Sequence, residues 1–242
     1  MKEKNIAFTA WQNDRIILKL WVKYYSQYFD ELLVLCFNTQ KKYLPFLEGL
    51  TKKYNFRYEI VEKYKGDNID GAPSVFLGLV KDKQEELLKE YKWVLFANCD
   101  EIIVADKKYG TLKDLMDKSP QKKLLWICEG YEVIQVRGEK PIDYSKSYFN
   151  QRKYWVKNHN YNKIILSKIT LNWTVGLHKI EGLSDDESTA FKNTGLYLIH
   201  LKHVDLETKR DFGPSISPLD PNIENHWLKY KKPIPDWIKK IL

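Results

Sequence analysis

The chain is poor in cysteine and has no long apolar run. Its 242 residues include three cysteines, Cys36, Cys99 and Cys128, which are odd in number and widely spaced. This pattern excludes a disulfide framework and a zinc ribbon and suits a reducing compartment. The longest uncharged apolar stretches, such as 93–99, are far shorter than the about 20 residues of a membrane-spanning helix.

The amino-terminal residues 1–5 are polar and pass directly into a strand-like segment, without the apolar region of a signal peptide. Together with the cysteine usage, this predicts a cytoplasmic location. Arginine is also scarce, with five among the 40 basic residues of a chain whose net charge is +8. Because readers of nucleic-acid sequence depend on arginine for bidentate contacts, we expect no nucleic-acid partner.

Three glycine-containing signatures are missing. No G-x-G-x-x-G turn follows the first predicted strand, no G-x-x-x-x-G-K-[ST] loop is present, and neither is the G-x-S-x-G elbow of serine hydrolases. The phosphates of a bound nucleotide would therefore be neutralised by a metal ion and basic side chains rather than by a glycine-rich loop at a helix N-terminus.

A regular alternation of strands and helices is present in the first hundred residues. Apolar, β-rich runs alternate with segments whose apolar residues recur at helical spacing. The order βαβαβαβ predicts an α/β fold with a parallel, three-layer sheet and right-handed crossovers. The predicted strands are 5–10, 31–37, 56–61 and 93–97, and the predicted helices are 15–28, 44–54 and 74–90.

The second half follows a different pattern, with strands predicted at 101–104, 123–128, 132–136, 161–168, 171–175 and 195–202 and a short helix at 111–118. We predict one domain over 1–210, with a nucleotide-binding half (1–104) and a mixed second half (105–210). The aromatic segment 137–160 has no clear period and predicts a long functional loop, or an ordinary packed loop. The arm 211–242, rich in proline, lysine and tryptophan, is expected to pack on the body, with peripheral membrane contact as an alternative.

Open α/β sheets bind ligands beyond the carboxyl ends of their parallel strands. That rule selects Ala10, Asn13 and Asp14 after the first strand, Asp67 after the third, and the segment 98–101 after the fourth. If the fourth strand continues, the side chains of Asn98 and Asp100 lie on one side of it, about 7 Å apart, and both can contact a metal ion with its bound diphosphate. The alternative is an ordinary pair of surface carboxylates at the end of a strand. Alanine at Asn13 and Asp14 is expected to leave stability nearly unchanged, unless the pair only caps the next helix.

Two histidines complete the candidate metal ligands. His178 lies near the end of the segment 173–178, and His200 directly follows an apolar run and is preferred to His203, which would face the opposite side of the strand. A carboxylate with an imidazole suits Mn²⁺, with Mg²⁺ as a substitute. A structural role for each histidine is the alternative.

Five segments stand in a characteristic order along about 200 residues. They are Asn13-Asp14 with Trp21, Leu33–Asn38, Trp93 to Glu101, Gly176 to His178, and Leu198 to Asp205. In this order they resemble the motifs of family-2-like glycosyltransferases, which begin with an Asn-acid pair and a helix that carries Trp, and continue with a strand that ends near an Asn. In those proteins a Trp-led strand that ends in Asp-x-Asp-Glu follows, then a Gly-x-His element and a closing His-rich strand.

This resemblance implies a GT-A fold, a nucleotide-sugar donor and a divalent metal that bridges the donor diphosphate. Asn98 replaces the usual first Asp, so it is expected to contact the nucleoside, while the metal depends on Asp100 with His200 or His178. Inverting relatives use a carboxylate base after the metal motif. Asp186, within 185–187, is favoured for that role, with Glu129 in reserve.

The predicted function is metal-dependent transfer of a sugar from a nucleoside diphosphate to a carbohydrate or lipid-linked glycan, as in polysaccharide biosynthesis, with inversion. The alternative is a non-catalytic basic module that binds glycans or nucleic acid on a degenerate GT-A sheet. Asn98 favours this alternative, because it lacks the charge of the Asp that it replaces.

Overall fold

The computed structural model describes residues 2–37, 39–61, 73–136, 138–174, 177, 180–181, 195–201 and 229–241. The strands in these residues are β1 (Asn5–Trp11), β2 (Glu31–Phe37), β3 (Phe56–Val61), β4 (Trp93–Phe96), β5 (Glu101–Ala105), β6 (Leu125–Ile134), β7 (Tyr154–Lys157), β8 (Ile164–Ser167), β9 (Leu196–His200) and β10 (Lys232–Pro233). The α-helices are α1 (Arg15–Tyr25), α2 (Leu44–Thr51), α3 (Pro73–Leu87), α4 (Leu112–Lys118) and α5 (Asp236–Lys239).

The first four strands form a parallel sheet in the order β3-β2-β1-β4. The sheet has a hydrophobic core on each face, and alternate residues of each strand contribute to one core or the other, because successive side chains of a strand point to opposite faces. On β1, Ala7 and Trp11 pack with α1 and α2, whereas Ile6 and Phe8 pack with α3. The prediction of a three-layer α/β fold with parallel strands is confirmed.

The second half contributes a mixed sheet in the order β5-β9-β6-β7-β10. Strand β6 joins the two sheets, because its first residues pair with β8 and its later residues with β7 and β9. Separate strands at 123–128 and 132–136 were therefore a wrong prediction, since one continuous strand of 10 residues runs through both segments. The mixed character of this half is confirmed.

Two further segments of the second half were given expectations. The described part of 137–160 contains β7, a strand that the sequence analysis did not predict, and buries Tyr148, Phe149 and Trp155, which fits the alternative of a packed segment. The strand expected at 171–175 is wrong where that segment is described, because only an isolated bridge joins Trp173 to Ile180.

The end of the carboxyl-terminal arm packs on the mixed sheet. Strand β10 pairs with β7, Ile234 and Ile238 are buried, and the Trp237 ring lies 5.7 Å from that of Tyr197. The predicted start of the arm at 211 falls outside the described residues. Among the helices that are described, none is both long enough and apolar enough to span a bilayer.

Gly130 lies where β6 passes beneath the turn 158–162. Its N–H donates to Asn162 Oδ1 at 2.9 Å, and its carbonyl accepts from Asn158 N at 2.9 Å. A Cβ at this position would collide with the Tyr161 side chain and with the Asn158 carbonyl. The close approach of the turn to the strand therefore requires glycine.

Gly130→Ala is expected to lower the free energy of unfolding by about 2 kcal/mol, because the added methyl group must displace the turn. For a chain of this size that corresponds to a melting temperature about 4–8 °C lower. Gly78→Ala in α3 is the matched control, since no atom lies within 4 Å of the added carbon. Gly78→Ala should leave the melting temperature unchanged or raise it slightly. If Gly130→Ala melted at the wild-type temperature, the close packing of the turn against Gly130 would be contradicted.

Candidate active site

Residues after β1 connect the parallel sheet to α1. Asp14 is the N-cap of α1, and its carboxylate accepts from the Ile17 N–H at 3.1 Å. Asn13 has a φ of 62°, a left-handed conformation that Asn tolerates better than most residues. Its Oδ1 accepts from Gln40 N at 3.3 Å, which ties the loop after β1 to the loop after β2. Both residues thus fix the conformation of the loop after β1 at the carboxyl edge of the sheet.

A tight turn connects β4 to β5. The strand ends at Phe96, and Glu101 N donates to the Asn98 carbonyl at 2.9 Å. In return, Asn98 N donates to Glu101 Oε2 at 3.0 Å. The two strands predicted at 93–97 and 101–104 are therefore confirmed as separate elements, and Asn98 and Asp100 lie in a turn rather than on one side of a continued strand. Cys99 links the turn to β1, since its thiol lies 3.2 Å from the Ala10 carbonyl.

Glu101 is a buried anchor of this turn. Its carboxylate accepts from Lys163 Nζ, and both side chains are almost fully buried. The same carboxylate lies 3.4 Å from Asn98 Nδ2. An Asp at 98 would put a second carboxylate against Glu101, whereas the amide of Asn98 can donate to it. This is a physical reason for Asn at the position where the resembling family has Asp.

His200 lies between two carboxylates, and its side chain is 6% exposed. Its Nδ1 is 2.7 Å from Glu132 Oε1, and its Nε2 is 3.2 Å from Asp100 Oδ2. Burial alone would lower the pKa of His200, but the negative charges of Asp100 and Glu132 outweigh it and raise the pKa to about 10. At neutral pH the ring is therefore an imidazolium that bridges the two carboxylates.

Tyr161 covers one face of the His200 ring. The two ring centroids are 4.1 Å apart, with 30° between the planes. Burial, followed by the nearby charge of Glu132, raises the pKa of the Tyr161 hydroxyl, so this side chain is neutral. Since Tyr161 belongs to the turn that lies against Gly130, the position of the ring depends on that close approach.

The structure brings together most of the described residues that the sequence analysis selected. Near the end of β1 lies Ala10, and Asn13 and Asp14 follow that strand. The adjoining turn contains Asn98 and Asp100, and His200 lies beside Asp100 at the end of β9. Burial, followed by the nearby charges of Asp100 and Asp14, raises the pKa of the Cys99 thiol. Asp67, His178 and Asp186 lie outside the described residues.

Glu129 does not join this group. It lies three residues before Glu132 on β6, and so faces the opposite side of the sheet. Its carboxylate accepts from Lys157 Nζ at 3.0 Å and from the Tyr131 hydroxyl at 3.2 Å. A surface depression on that side is lined by Glu129, Tyr197 and Asp106. The reserve candidate for the base is therefore on the other side of the sheet from Asp100 and His200.

The atoms of Asp100 and His200 fit two adjacent positions around one divalent cation. Adjacent ligands of an octahedral ion are about 3 Å apart when each lies about 2.1 Å from the metal. Asp100 Oδ2 and His200 Nε2 are 3.2 Å apart. Among the described residues, no cluster of three or more His, Cys, Asp or Glu side chains could hold a metal ion. Water and a diphosphate would have to supply further ligands.

Comparison with protein families decides the class of this chain. A model of glycosyltransferase family 92 matches residues 86–242, which is more than half of the chain. The chain belongs to glycosyltransferase family 92. The matched region contains Asp100, Glu132 and His200, and the class agrees with the resemblance found in the sequence, although the family number differs.

More distant similarities are found as well. The nisin biosynthesis protein NisB of Lactococcus lactis subsp. lactis is 28% identical over 153 residues, which are 62% of this chain and only 14% of that protein. S. aureus TarS 1-349 in complex with UDP-GlcNAc is 14% identical, with 89% of this chain and 62% of that chain covered and a TM-score of 0.37. A putative glucose-1-phosphate thymidylyltransferase from Bacillus anthracis is 12% identical, with 93% and 82% covered and a TM-score of 0.32. Scores this low support no inference about a ligand of this chain.

The cap at Asp14 favours the alternative in which alanine at this position lowers stability. Asp14→Ala removes the side-chain oxygen that accepts from Ile17 N, and should lower the free energy of unfolding by about 1 kcal/mol. Asp14→Ser keeps a capping oxygen and removes the carboxylate, so it should melt near the wild-type temperature.

Thermal melting of the wild type, Asp14→Ala and Asp14→Ser tests the capping role. Binding of a nucleoside diphosphate by the two variants tests whether the Asp14 carboxylate also contacts the donor. If the carboxylate contacts the donor, both variants should bind the nucleoside diphosphate equally weakly despite their different stabilities. A serine variant that melts as low as the alanine variant would show that Asp14 does not act as a cap.

Proposed function

We propose that this family-92 chain transfers a sugar from a nucleoside diphosphate to a carbohydrate or lipid-linked glycan, with Mn²⁺ or Mg²⁺ bound at Asp100 and His200. The observation that carries the proposal is the meeting of an acidic turn after β4 with His200 of β9 at the carboxyl edge of the parallel sheet. Ligands of open α/β sheets bind at this edge. A cytoplasmic location remains part of the proposal.

The charges around the site favour a cation. Three carboxylates, those of Asp100, Glu101 and Glu132, surround Lys163 and His200. Lys163 pairs with Glu101, whereas the imidazole of His200 lies 3.2 Å from Asp100. A divalent ion would take the place of the proton on Nε2 and bring the additional positive charge that a diphosphate requires.

The chain's own residues then have distinct roles. Asp100 and His200 would hold the ion, and the turn 98–101, anchored by Glu101, would fix the position of Asp100 relative to β1. Asn13 and Asp14 would border the nucleoside from the adjoining loop. The ion, when bound, would counter the negative charge that develops on the leaving diphosphate.

The acceptor base is proposed to be Asp186, with an inverting outcome. The orientation of Glu129 supports this choice, because its carboxylate lies on the far side of the mixed sheet beside Lys157. Asp186→Asn should retain donor and metal binding while transfer falls by a factor on the order of 10² or more. Turnover at the wild-type rate would exclude Asp186 as the base.

The test of the metal site compares Asp100→Asn with Asp117→Asn, an exposed carboxylate of α4 that serves as the matched control. UDP, GDP, ADP and dTDP, each with and without Mn²⁺, are screened by thermal melting, and the corresponding sugar nucleotides are assayed for release of the diphosphate. A ligand at 100 times its dissociation constant should stabilise the wild type by about 2.7 kcal/mol, or about 5–10 °C.

We expect one nucleotide to give this shift only with Mn²⁺, in the wild type and in Asp117→Asn but not in Asp100→Asn. Loss of the shift should be accompanied by loss of diphosphate release. A full metal-dependent shift in Asp100→Asn would refute the assignment of the ligand. The absence of a shift with every nucleotide in the wild type would instead favour the non-catalytic binding module.

A further inference from the structure

Glu132 is a buried carboxylate that the proposed chemistry does not yet use. Its side chain is 1% exposed and lies near the carboxyl end of β6. The parallel pairing of β6 with β9 sets Glu132 directly opposite His200, so both side chains stand on the same face of the sheet. Burial of a carboxylate is costly unless it is paired, and here its Oε1 lies 2.7 Å from His200 Nδ1.

The contact with Glu132 determines which nitrogen of His200 is available to a metal. An ionised carboxylate only accepts hydrogen bonds, so the nitrogen that faces Glu132 carries a proton. The other nitrogen, Nε2, faces Asp100 Oδ2 at 3.2 Å. If a cation replaced the proton on Nε2, the imidazole would retain the hydrogen on Nδ1 and would offer the lone pair of Nε2 to the cation beside Asp100.

The plane of the imidazole ring is fixed independently of its tautomer. Tyr161 stacks over it with a centroid distance of 4.1 Å, and the turn that carries Tyr161 lies against Gly130 of the same strand as Glu132. Rotation of the ring would lose both the stacking and the hydrogen bond to Glu132. Histidines that bind metals commonly donate their second N–H to a carboxylate in this way.

We propose that Glu132 is a positioning residue, which holds His200 with Nε2 directed at a divalent cation shared with Asp100. This inference rests on the proposed metal site and deepens it, because it assigns a role to a residue that lies behind the ligands. Glu132 touches neither the cation nor the sugar donor. It acts through the orientation and the basicity of the imidazole.

The experiment measures Mn²⁺ affinity by electron paramagnetic resonance, in which the signal of free Mn²⁺ is titrated with protein alone and with protein in the presence of UDP. Glu132→Gln keeps the shape of the side chain and removes its charge, and Glu132→Ala removes the acceptor. Glu129→Gln is the matched control, since it lies on the same strand but faces away from His200. Circular dichroism and thermal melting establish that each variant is folded.

We expect Mn²⁺ affinity to fall 10- to 100-fold in Glu132→Ala, by a smaller factor in Glu132→Gln, and not at all in Glu129→Gln. Electron spin-echo envelope modulation supplies a readout that a purely structural role would not change. Bound Mn²⁺ should show coupling to an imidazole nitrogen in the wild type, and this coupling should weaken or vanish in Glu132→Ala. If Glu132→Ala does not fold, the positioning role is tested by the Mn²⁺ affinity and the nitrogen coupling of Glu132→Gln compared with those of the wild type.

The outcomes separate the two proposals. Suppose that the wild type binds Mn²⁺ with nitrogen coupling and that the folded Glu132 variants show the same affinity and coupling. This result would overturn the positioning role of Glu132 and leave the proposed metal site intact. A wild type that binds no Mn²⁺, with or without UDP, would overturn both the positioning role and the metal-dependent function.

Discussion

The position of β9 between β5 and β6 is the constraint on which the candidate site depends. His200 ends this strand, opposite Glu101 in the antiparallel pairing with β5 and opposite Glu132 in the parallel pairing with β6. Neighbouring strands lie about 4.8 Å apart, so the imidazole reaches Glu132 on the β6 side and, on the β5 side, Asp100, which directly precedes Glu101. A shift of one residue in either register would turn His200 toward the opposite face and separate it from both partners.

Buried charge is the second feature that shapes the site. The pair of Glu101 and Lys163 is almost fully buried, and it holds the turn that presents Asp100. Such pairs contribute little net stability, because desolvation offsets much of their attraction, but the loss of one partner is costly. The pair here has a geometric role, since Glu101 also accepts from Asn98 N and so helps to fix the turn at the edge of the parallel sheet. Asn98 fits this environment because its amide faces the Glu101 carboxylate.

Part of this arrangement could be predicted from the sequence. The alternation of strands and helices up to β4 predicted the parallel sheet, and the rule on strand ends selected Asp100, while the apolar run before His200 selected that residue. Glu132 and Lys163 could not be found in this way, because each looks like an ordinary polar residue beside apolar neighbours. Their roles arise from pairings between strands far apart in the chain, such as β6 with β9, and local patterns do not encode register. The break between β4 and β5 agrees with the two strands predicted there, but the hydrogen bonds between Asn98 and Glu101 that close the turn have no signature in the local sequence.

The most direct test of the central claim is a crystal structure of the protein soaked with Mn²⁺ and UDP, with data collected at a wavelength where manganese scatters anomalously. The account predicts one anomalous peak within about 2.2 Å of both Asp100 Oδ2 and His200 Nε2, with Glu132 still bonded to Nδ1 and the diphosphate on the open side of the ion. A peak elsewhere on the sheet, or a bound nucleotide with no manganese beside Asp100, would contradict it.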